Sequence, residues 1–364
     1  MTPGARISAA IECVDLILEG SPAEKALTSW ARRSRFAGSK DRAAVRDHVF
    51  DCLRHRDSYA AIGGAFTGRA ILIGLIKAQG LEIEDLFDGQ GHSQAPLTSE
   101  ERIAFETEVD EGNIDRIWDM PDWCVDKLKQ SFPDVAFEIA NALKARAPVD
   151  LRVNTRAATV PQAIDDLASD GILAVPNVTA KSALRVVENP RKVKLSAAYL
   201  SGKVEFQDAG SQALIDALPL ANVHKILDYC AGGGGKSLAI AAVTDATLFA
   251  HDVNALRMKD IPLRAERAKV KITCVSSNEL NDHGPFDLVL CDAPCSGSGA
   301  WRRSPDAKWR ITPERFDELV DIQSEILSNA KHLVAPGGYL AYATCSLFAE
   351  ENEEQVNKFL NSAP

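Results

Sequence analysis

Two cysteines stand in sequence surroundings that could make them reactive. Cys295 closes an Asp-Ala-Pro-Cys stretch that begins at Asp292, and Cys345 is the middle residue of a Thr-Cys-Ser turn. A thiolate is a strong nucleophile, and a nearby carboxyl can hold a polar substrate edge while charge develops on it. The three residues could therefore act together: one thiol attacks a substrate, the other helps its release, and the carboxyl orients it.

A glycine-rich loop forms a second candidate site. It follows an apolar run and leads into a helical pattern, and glycines there let the backbone turn sharply and approach a ligand closely. The loop consists of Cys230, Ala231, Gly232, Gly233, Gly234, Gly235 and Lys236. A phosphate-binding Walker loop would need glycine at position 230, where this chain has cysteine, so kinase-like chemistry is not favoured.

An acidic residue, Asp252, ends the predicted strand that follows this loop. A carboxylate at that place can accept hydrogen bonds from both hydroxyls of a ribose, as sites for NAD and for S-adenosylmethionine require. Taken alone, Asp252 could instead cap the helix predicted from Arg257 to Ala268. The loop and the acid together favour a ligand. The cysteine motifs then favour S-adenosylmethionine, because no second set of residues for hydride transfer is present.

The cysteine pair fits the methylation of carbon 5 of a cytosine. That ring carbon is a poor nucleophile, and addition of a thiolate to carbon 6 activates it by forming an enamine-like adduct. The methylated adduct must then lose the carbon 5 proton and expel the thiolate, a step that a second group can assist. Asp292 could hold the N3 and amino edge of the base meanwhile.

Parallel strands must position these residues. From His224 onward, apolar runs alternate with helical patterns, which predicts an α/β domain with a doubly wound parallel sheet. The predicted strands are 225–229, 247–252, 272–275, 286–291 and 339–344, and a long helix is predicted to begin at Thr312-Pro313. Both cysteines follow carboxyl ends of strands. Because those ends border one crevice in an open sheet, we expect the two thiols to lie close together.

The N-terminal part is predicted to be helical. A capping box from Ser21 to Glu24 is predicted to open the second helix, and an acidic stretch from Leu86 to Asp119 is predicted to be a linker with one helix. The inward faces of the first and third helices are predicted to carry Ile7, Ile11, Val14, Leu18, Val45, Val49, Cys52 and Leu53. We therefore predict three domains: all-α with the linker over 1–118, small mixed α/β over 119–205, and α/β over 206–364.

Charge and composition limit the classes of partner. A formal net charge of −10 argues against a protein that coats nucleic acid non-specifically, because that binding needs clustered lysines and arginines. An arginine-rich region does lie between residues 32 and 56, where a solvated face is favoured over an RNA contact. The N-terminal residues do not resemble a signal peptide, and the longest apolar run contains Arg69. We expect a cytoplasmic monomer with no membrane segment.

The remaining cysteines have a simple explanation. They lie in apolar periods and are predicted to be reduced core residues: Cys13, Cys52, Cys124, Cys274 and Cys291. No cysteine or histidine cluster has zinc spacing, so no metal site is expected. Four basic residues beside the Pro-Cys motif could hold phosphates or be solvated: Arg302, Arg303, Lys308 and Arg310.

These features together resemble the ribosomal RNA small-subunit methyltransferase B family, within the Sun-type RNA cytosine-5 methyltransferases. The paired Pro-Cys and Thr-Cys signatures and the stretches 150–154 and 207–212 carry the resemblance, and the N-terminal helices resemble a NusB-like RNA-binding domain. The resemblance implies a Rossmann-like class I methyltransferase fold, S-adenosyl-L-methionine as cofactor and 16S ribosomal RNA as substrate.

The same resemblance implies roles for individual residues. Cys345 would be the nucleophile, Cys295 would assist product release, and residues 230–236 with Asp252 and Asp292 would line the cofactor, with Lys236 also within reach of the target nucleotide. Arg302 and its basic neighbours could hold phosphates beside a flipped base.

The chain departs from the family pattern in three places. The loop reads Ala-Gly-Gly-Gly-Gly-Lys instead of Ala-Ala-Pro-Gly-Gly-Lys, and Ser276-Ser277-Asn278 stands where an acidic residue near the adenine is common. The sequence ends at Pro364, whereas the family continues into a strand hairpin, so we expect a truncated chain or a sheet lacking an edge. A transfer RNA substrate and an inactive RNA-binding or ribosome-assembly scaffold remain alternative hypotheses.

Overall fold

The computed structural model describes residues 1–107 and 117–362, which form two compact units. The first unit comprises Met1–Ala147, Gly297–Arg315 and Ser346–Ala349. The second comprises Pro148–Ser296, Phe316–Cys345 and Glu350–Pro364. The division into three domains stays a prediction.

The first unit is helical in its described residues. Its helices up to residue 147 are α1 (Pro3–Leu18), α2 (Ala23–Arg33), α3 (Ser39–Arg54), α4 (Arg56–Gly63), α5 (Gly68–Ala78), α6 (Ser99–Glu106), α7 (Asp122–Ser131) and α8 (Ala136–Lys144). The predicted inward faces of α1 and α3 are confirmed, because seven of their eight predicted residues are buried and only Leu18 is half-buried. This burial of apolar side chains from several helices gives the unit its own core.

Two predictions about the first unit are wrong in part. The capping box at Ser21 does not form, because Pro22 occupies the N-cap position of α2 and the Ser21 amide instead donates to the Leu16 carbonyl at the end of α1. The acidic stretch is not a linker from its start, because Leu86 and Phe87 are buried in the helical core. Residues 108–116 of that stretch lie outside the described residues.

The second unit begins with a small antiparallel sheet. Its elements are β1 (Val149–Val153), α9 (Val160–Ser169), β2 (Leu173–Pro176), β3 (Ala183–Glu188), α10 (Ala197–Leu200), β4 (Val204–Phe206) and α11 (Ala209–Asp216). The strands pair in the order β2-β3-β1-β4. Asn154, within the stretch that carries the family resemblance, lies just beyond the end of β1.

The larger sheet of the second unit is parallel, as predicted. The remaining elements of the chain are β5 (Lys225–Asp228), α12 (Gly235–Val243), β6 (Thr247–Ala250), α13 (Ile261–Ala268), β7 (Thr273–Cys274), α14 (Leu280–His283), β8 (Phe286–Asp292), α15 (Pro305–Arg310), α16 (Pro313–Ala330), β9 (Val334–Ala343) and α17 (Glu353–Ser362). The strand order β7-β6-β5-β8-β9 confirms a doubly wound, Rossmann-like fold.

Both faces of this sheet are covered by apolar side chains. Ile226 and Leu288 pack into a cluster on one face, whereas Leu227 and Val289 pack into a separate cluster on the other. Adjacent residues of one strand point to opposite faces, so this division follows from the strand period. The predicted burial of Cys274 is wrong, because it lies on the two-residue edge strand β7 and is exposed.

Among the described residues, no single helix is long and apolar enough to cross a membrane, although α4 and α5, bent by 91° at their break, are long and apolar enough together. Within ranges 1–107 and 117–362, no group of three or more histidine, cysteine or acidic side chains is placed to hold a metal ion.

Candidate active site

The candidate site lies where the strand order reverses. β5 is the first strand of the sheet along the chain, and its neighbours are β6 on one side and β8 on the other. The connection after β5 leads to β6 on one side of the sheet, whereas the connection after β8 leads to β9 on the other side. A crevice therefore opens between the carboxyl ends of β5 and β8, which is the usual ligand position in open α/β sheets. Asp228 ends β5 and Asp292 ends β8, so both carboxyls border this crevice.

The structure brings the two cysteines together at this edge. The Sγ atoms of Cys295 and Cys345 are 3.4 Å apart, within hydrogen-bond distance for sulfur. Because Asp292 pairs with Ala343 in the register of β8 and β9, the two cysteines follow neighbouring strand ends at nearly the same height. Cys295 is half-buried and Cys345 is exposed. The expected proximity of the thiols is therefore observed.

The surroundings of Cys345 favour its thiolate. The hydrogen bond from Cys295 and the ammonium of Lys236 lower the pKa of Cys345 to about 7, against the opposing effects of burial and of the Asp292 carboxyl. An ordinary cysteine has a pKa of about 8.5, so the lower pKa of Cys345 favours its thiolate near neutral pH.

Lys236 and Asp292 form an ion pair in the same crevice. The Nζ of Lys236 lies 2.6 Å from Oδ2 of Asp292, and both side chains are at least two-thirds buried. Lys236 comes from the glycine loop and Asp292 from the Pro-Cys motif, so the pair joins the two motifs. This connection fixes the orientation of the Asp292 carboxyl.

Asp252 holds the glycine loop through a hydrogen bond to its backbone. Its Oδ2 accepts a hydrogen bond from the Gly232 amide at 3.0 Å and lies 3.0 Å from Nη1 of Arg257, and its Oδ1 accepts from the Asn254 amide. The alternative role of Asp252 as a helix cap is not observed, because Asn254 caps the 3-10 turn that follows. The buried carboxyl instead fastens the loop.

Two positions of the loop require glycine. Gly234 has a φ of +77°, and a Cβ there would lie 2.8 Å from a side-chain carbon of Ile261. Gly232 has a φ of +50°. The Gly233 and Gly235 carbonyls accept hydrogen bonds from Arg264 and Gln207, respectively. Hydrogen bonds from Arg264 and Gln207 therefore hold the glycine loop, whose sequence differs from the family pattern.

Asp228 is a functional candidate that the sequence analysis did not single out. It is fully buried, accepts a hydrogen bond from the Ser237 hydroxyl through Oδ2, and its Oδ1 has no partner among the described residues. Burial raises its pKa to about 7. Its position at the end of an apolar run, two residues before the glycine loop, could have marked Asp228 as a candidate in the sequence. The orphaned oxygen and the glycine cradle together fit a polar cofactor at this place.

The Ser276–Asn278 stretch is already engaged within the second unit. Ser277 Oγ lies 2.9 Å from Nε2 of His251, whose Nδ1 is 2.7 Å from the Tyr229 carbonyl. Ser276 occupies the N-cap position of the short turn that follows, and both its amide and its hydroxyl donate to the Glu279 carboxylate. The stretch thus supports the ends of β5 and β6 through a buried histidine.

The basic residues after the Pro-Cys motif belong to the first unit. Lys308 is buried and donates to the Arg54 carbonyl at 3.0 Å, so neither alternative given for it, a phosphate contact or a solvated side chain, is observed. Arg302 donates to the carbonyls of Ala145 and Arg146. Both residues bind backbone oxygens of the helical unit, a role that their spacing in the sequence did not reveal.

The buried carboxyl of Glu351 contacts the Pro-Cys loop, and the sequence did not indicate it as a functional candidate. It accepts hydrogen bonds from the amide and the hydroxyl of Ser296 and from Nε2 of Gln323. Gln323, on α16, also donates to the Pro294 carbonyl at 3.0 Å. Acidic residues near Glu351 are numerous in the sequence, and none of their spacings marks this one as buried.

Two family models of known proteins match parts of this chain. The family model for 16S rRNA methyltransferase RsmB/F matches residues 215–364, and the ferredoxin-like domain model of RsmF/B-like methyltransferases matches residues 120–194. The ribosomal RNA small subunit methyltransferase B of Salmonella arizonae is 35% identical over 250 residues, and that of Yersinia pestis is 33% identical. Each match covers 67% of this chain but only 58% of the relative.

Solved structures share the fold. The crystal structure of PH0851 covers 100% of this chain and 90% of its own, with a TM-score of 0.77 and 23% identity. A methyltransferase homologue from Pyrococcus horikoshii is 27% identical over 66% of this chain and 78% of its own, with a TM-score of 0.58. Through its residues 120–194 and 215–364, the chain therefore belongs to the RsmB/F methyltransferase family.

Proposed function

We propose that this chain methylates carbon 5 of a cytosine in small-subunit ribosomal RNA, with Cys345 as the nucleophile. The observation that carries the proposal is the pair of sulfurs 3.4 Å apart at the carboxyl ends of β8 and β9. The names of the curated relatives support the ribosomal substrate, although the chain spans 58% of their length. A NusB-like role of the N-terminal helices in RNA binding belongs to the same proposal.

The geometry favours Cys345 over Cys295 as the attacking thiol. Cys345 is the more exposed of the two and has a pKa near 7, because Cys295 and Lys236 stabilise its thiolate. This lowered pKa favours the reactive thiolate of Cys345 near neutral pH. Cys295 is placed to donate a hydrogen bond, which suits a group that stabilises a departing thiolate.

The residues of the crevice divide the reaction between them. Sγ of Cys345 forms a bond to carbon 6, and the ring electrons gather at carbon 5, which becomes nucleophilic. Asp292, held by Lys236, binds the N3 and amino edge of the base. After methylation, a base takes the carbon 5 proton, the ring double bond re-forms and the carbon 6–sulfur bond breaks. Cys295 then stabilises the released thiolate.

The cofactor site belongs to the same proposal. Residues 230–236, Asp252 and Asp292 would hold S-adenosyl-L-methionine, which supplies an electrophilic methyl group when bound. Asp252 presents a buried carboxyl suited to ribose hydroxyls, and the backbone of the loop has room for a close approach at Gly235. A protein of similar fold, NSun6 from Pyrococcus horikoshii, was crystallised with SFG, a cofactor analogue.

Two single substitutions test the division of labour between the thiols. Cys345→Ala should abolish methyl transfer to deproteinised ribosomal RNA and any covalent protein–RNA adduct. Cys295→Ala should retain the attack and accumulate the adduct, detected as a slowly migrating species on a denaturing gel. Methyl transfer by Cys345→Ala would exclude Cys345 as the nucleophile.

RNA binding without methyl transfer by the unaltered protein would favour the alternative function, an inactive RNA-binding scaffold.

The substrate is tested separately. Bisulfite sequencing of RNA from a deletion strain should show the loss of one 5-methylcytosine in small-subunit ribosomal RNA. If only transfer RNA positions lost their signal, the ribosomal substrate would be wrong and the thiol chemistry would stand.

A further inference from the structure

We infer that Glu351 is a positioning residue, which holds the Cys295 loop beside Cys345 through hydrogen bonds to Ser296 and Gln323. The inference deepens the proposed function and rests on the pairing of the two thiols in it. Glu351 touches neither thiol, and it acts through the backbone on either side of Cys295.

The side chain of Glu351 accepts several hydrogen bonds within the second unit. Its side chain is fully buried, and its Oε1 accepts from the Ser296 amide at 2.7 Å and from Nε2 of Gln323 at 3.0 Å. Its Oε2 accepts from the Ser296 hydroxyl. Three donors thus converge on one carboxyl that lies away from water, where hydrogen bonds are strongest and their loss is costly.

Gln323 extends this network to the other side of Cys295. It is also fully buried, and the same Nε2 donates to the Pro294 carbonyl at 3.0 Å. The residues before and after Cys295 are therefore both tied to Glu351 and Gln323. Cys295 lies beyond the end of β8, so these bonds act where the strand pairing has ended.

The segment that carries Glu351 is tied in turn to the strand that leads to Cys345. The Tyr342 hydroxyl donates to the Glu351 carbonyl at 2.8 Å, and Thr344 Oγ1 lies 2.5 Å from Oδ1 of Asn352. Glu351 consequently joins the two loops that present the thiols. A sulfur separation of 3.4 Å has little tolerance, because a shift of about 1 Å would break the hydrogen bond.

The test measures the reactivity of Cys345 in the full chain, without RNA or cofactor. Iodoacetamide alkylation of Cys345 is followed by peptide mass spectrometry as a function of pH. Glu351→Ala should move the midpoint of the profile upward from about 7 toward ~8.5, the value of an ordinary thiol, because Cys295 no longer donates to it. Lys236 and Asp292 also face Cys345 and are unchanged in this variant.

Two further variants serve as controls. Glu351→Gln should keep a midpoint near that of the unaltered protein, because the amide oxygen still accepts from the Ser296 amide and the Ser296 hydroxyl can turn to accept from the amide nitrogen. Glu354→Ala, which removes an exposed glutamate from α17, should leave the profile unchanged. A merely structural role would lower the melting temperature of Glu351→Ala and leave the alkylation midpoint where it was.

An unchanged midpoint in folded Glu351→Ala would overturn the inference. If that variant does not fold, the same profile is measured on Gln323→Ala, which loses the hydrogen bonds to the Pro294 carbonyl and to Glu351, and an unshifted midpoint there overturns the inference equally. The readout involves no methyl transfer. Failure of the proposed function, seen as inactive unaltered protein with a normal alkylation profile, is therefore distinguishable from failure of this inference.

Discussion

Replacing Asp228 with asparagine should change how the stability of the second unit depends on pH. Asp228 is fully buried, and burial raises its pKa from 3.8 to about 7. Between these values the folded protein retains a proton that the unfolded chain has lost, so stability falls as the pH rises through this window. Three pKa units correspond to about 4 kcal/mol, lost by pH 8 in the unaltered protein.

Asp228→Asn removes this titration while its amide oxygen can still accept from Ser237. The difference in unfolding free energy between variant and unaltered protein should therefore grow by about 4 kcal/mol from pH 4 to pH 8, in favour of the variant. Urea unfolding at several pH values measures it. Asp321→Asn, at an exposed position of α16, should show no such growth. A difference that stays constant with pH would refute the reasoning.

Four other substitutions have defined outcomes. Cys295→Ala should raise the alkylation midpoint of Cys345 above 7 in the iodoacetamide assay, because it removes the largest cause of the lowered pKa. Gly234→Ala should weaken binding of S-adenosylhomocysteine in calorimetry, because a φ of +77° strains any other residue. Phe286→Ala, in the core, should cost ~3–5 kcal/mol in urea unfolding, whereas Leu195→Ala, 80% exposed, should stay within ~0.5 kcal/mol.

The architecture of the sheet could be predicted from sequence because the period of apolar residues reports it directly. The strands β5 and β8 are short apolar runs followed by polar loops, and both were located to within one or two residues. The short strand β7 was also located from the sequence, but its position at the edge of the sheet was not predicted. The order of strands in a sheet decides which ones are exposed at an edge, so the exposure of Cys274 could not be read from its apolar neighbours.

The roles of buried polar residues were not predictable. Lys308 reads as a surface lysine in a basic stretch, yet it is buried and bonds to a backbone carbonyl far away in the chain. Burial lowers the pKa of its ammonium to about 8, the opposite of what a phosphate contact would do. Hydrogen-bond partners of this kind are set by tertiary packing, which leaves no periodic trace in the sequence.

The thiol pair shows where prediction from sequence ends. Cys295 and Cys345 were expected to be close because their strands were expected to be neighbours, and the register of Asp292 with Ala343 confirms that premise. Register alone brings two loops within several ångströms, since neighbouring strands lie about 4.8 Å apart. Direct contact of the sulfurs requires the loops themselves to be fixed. The buried Glu351, which no spacing revealed, supplies hydrogen bonds at that point, so the chemistry proposed for the cysteines depends on a residue that only the structure identifies.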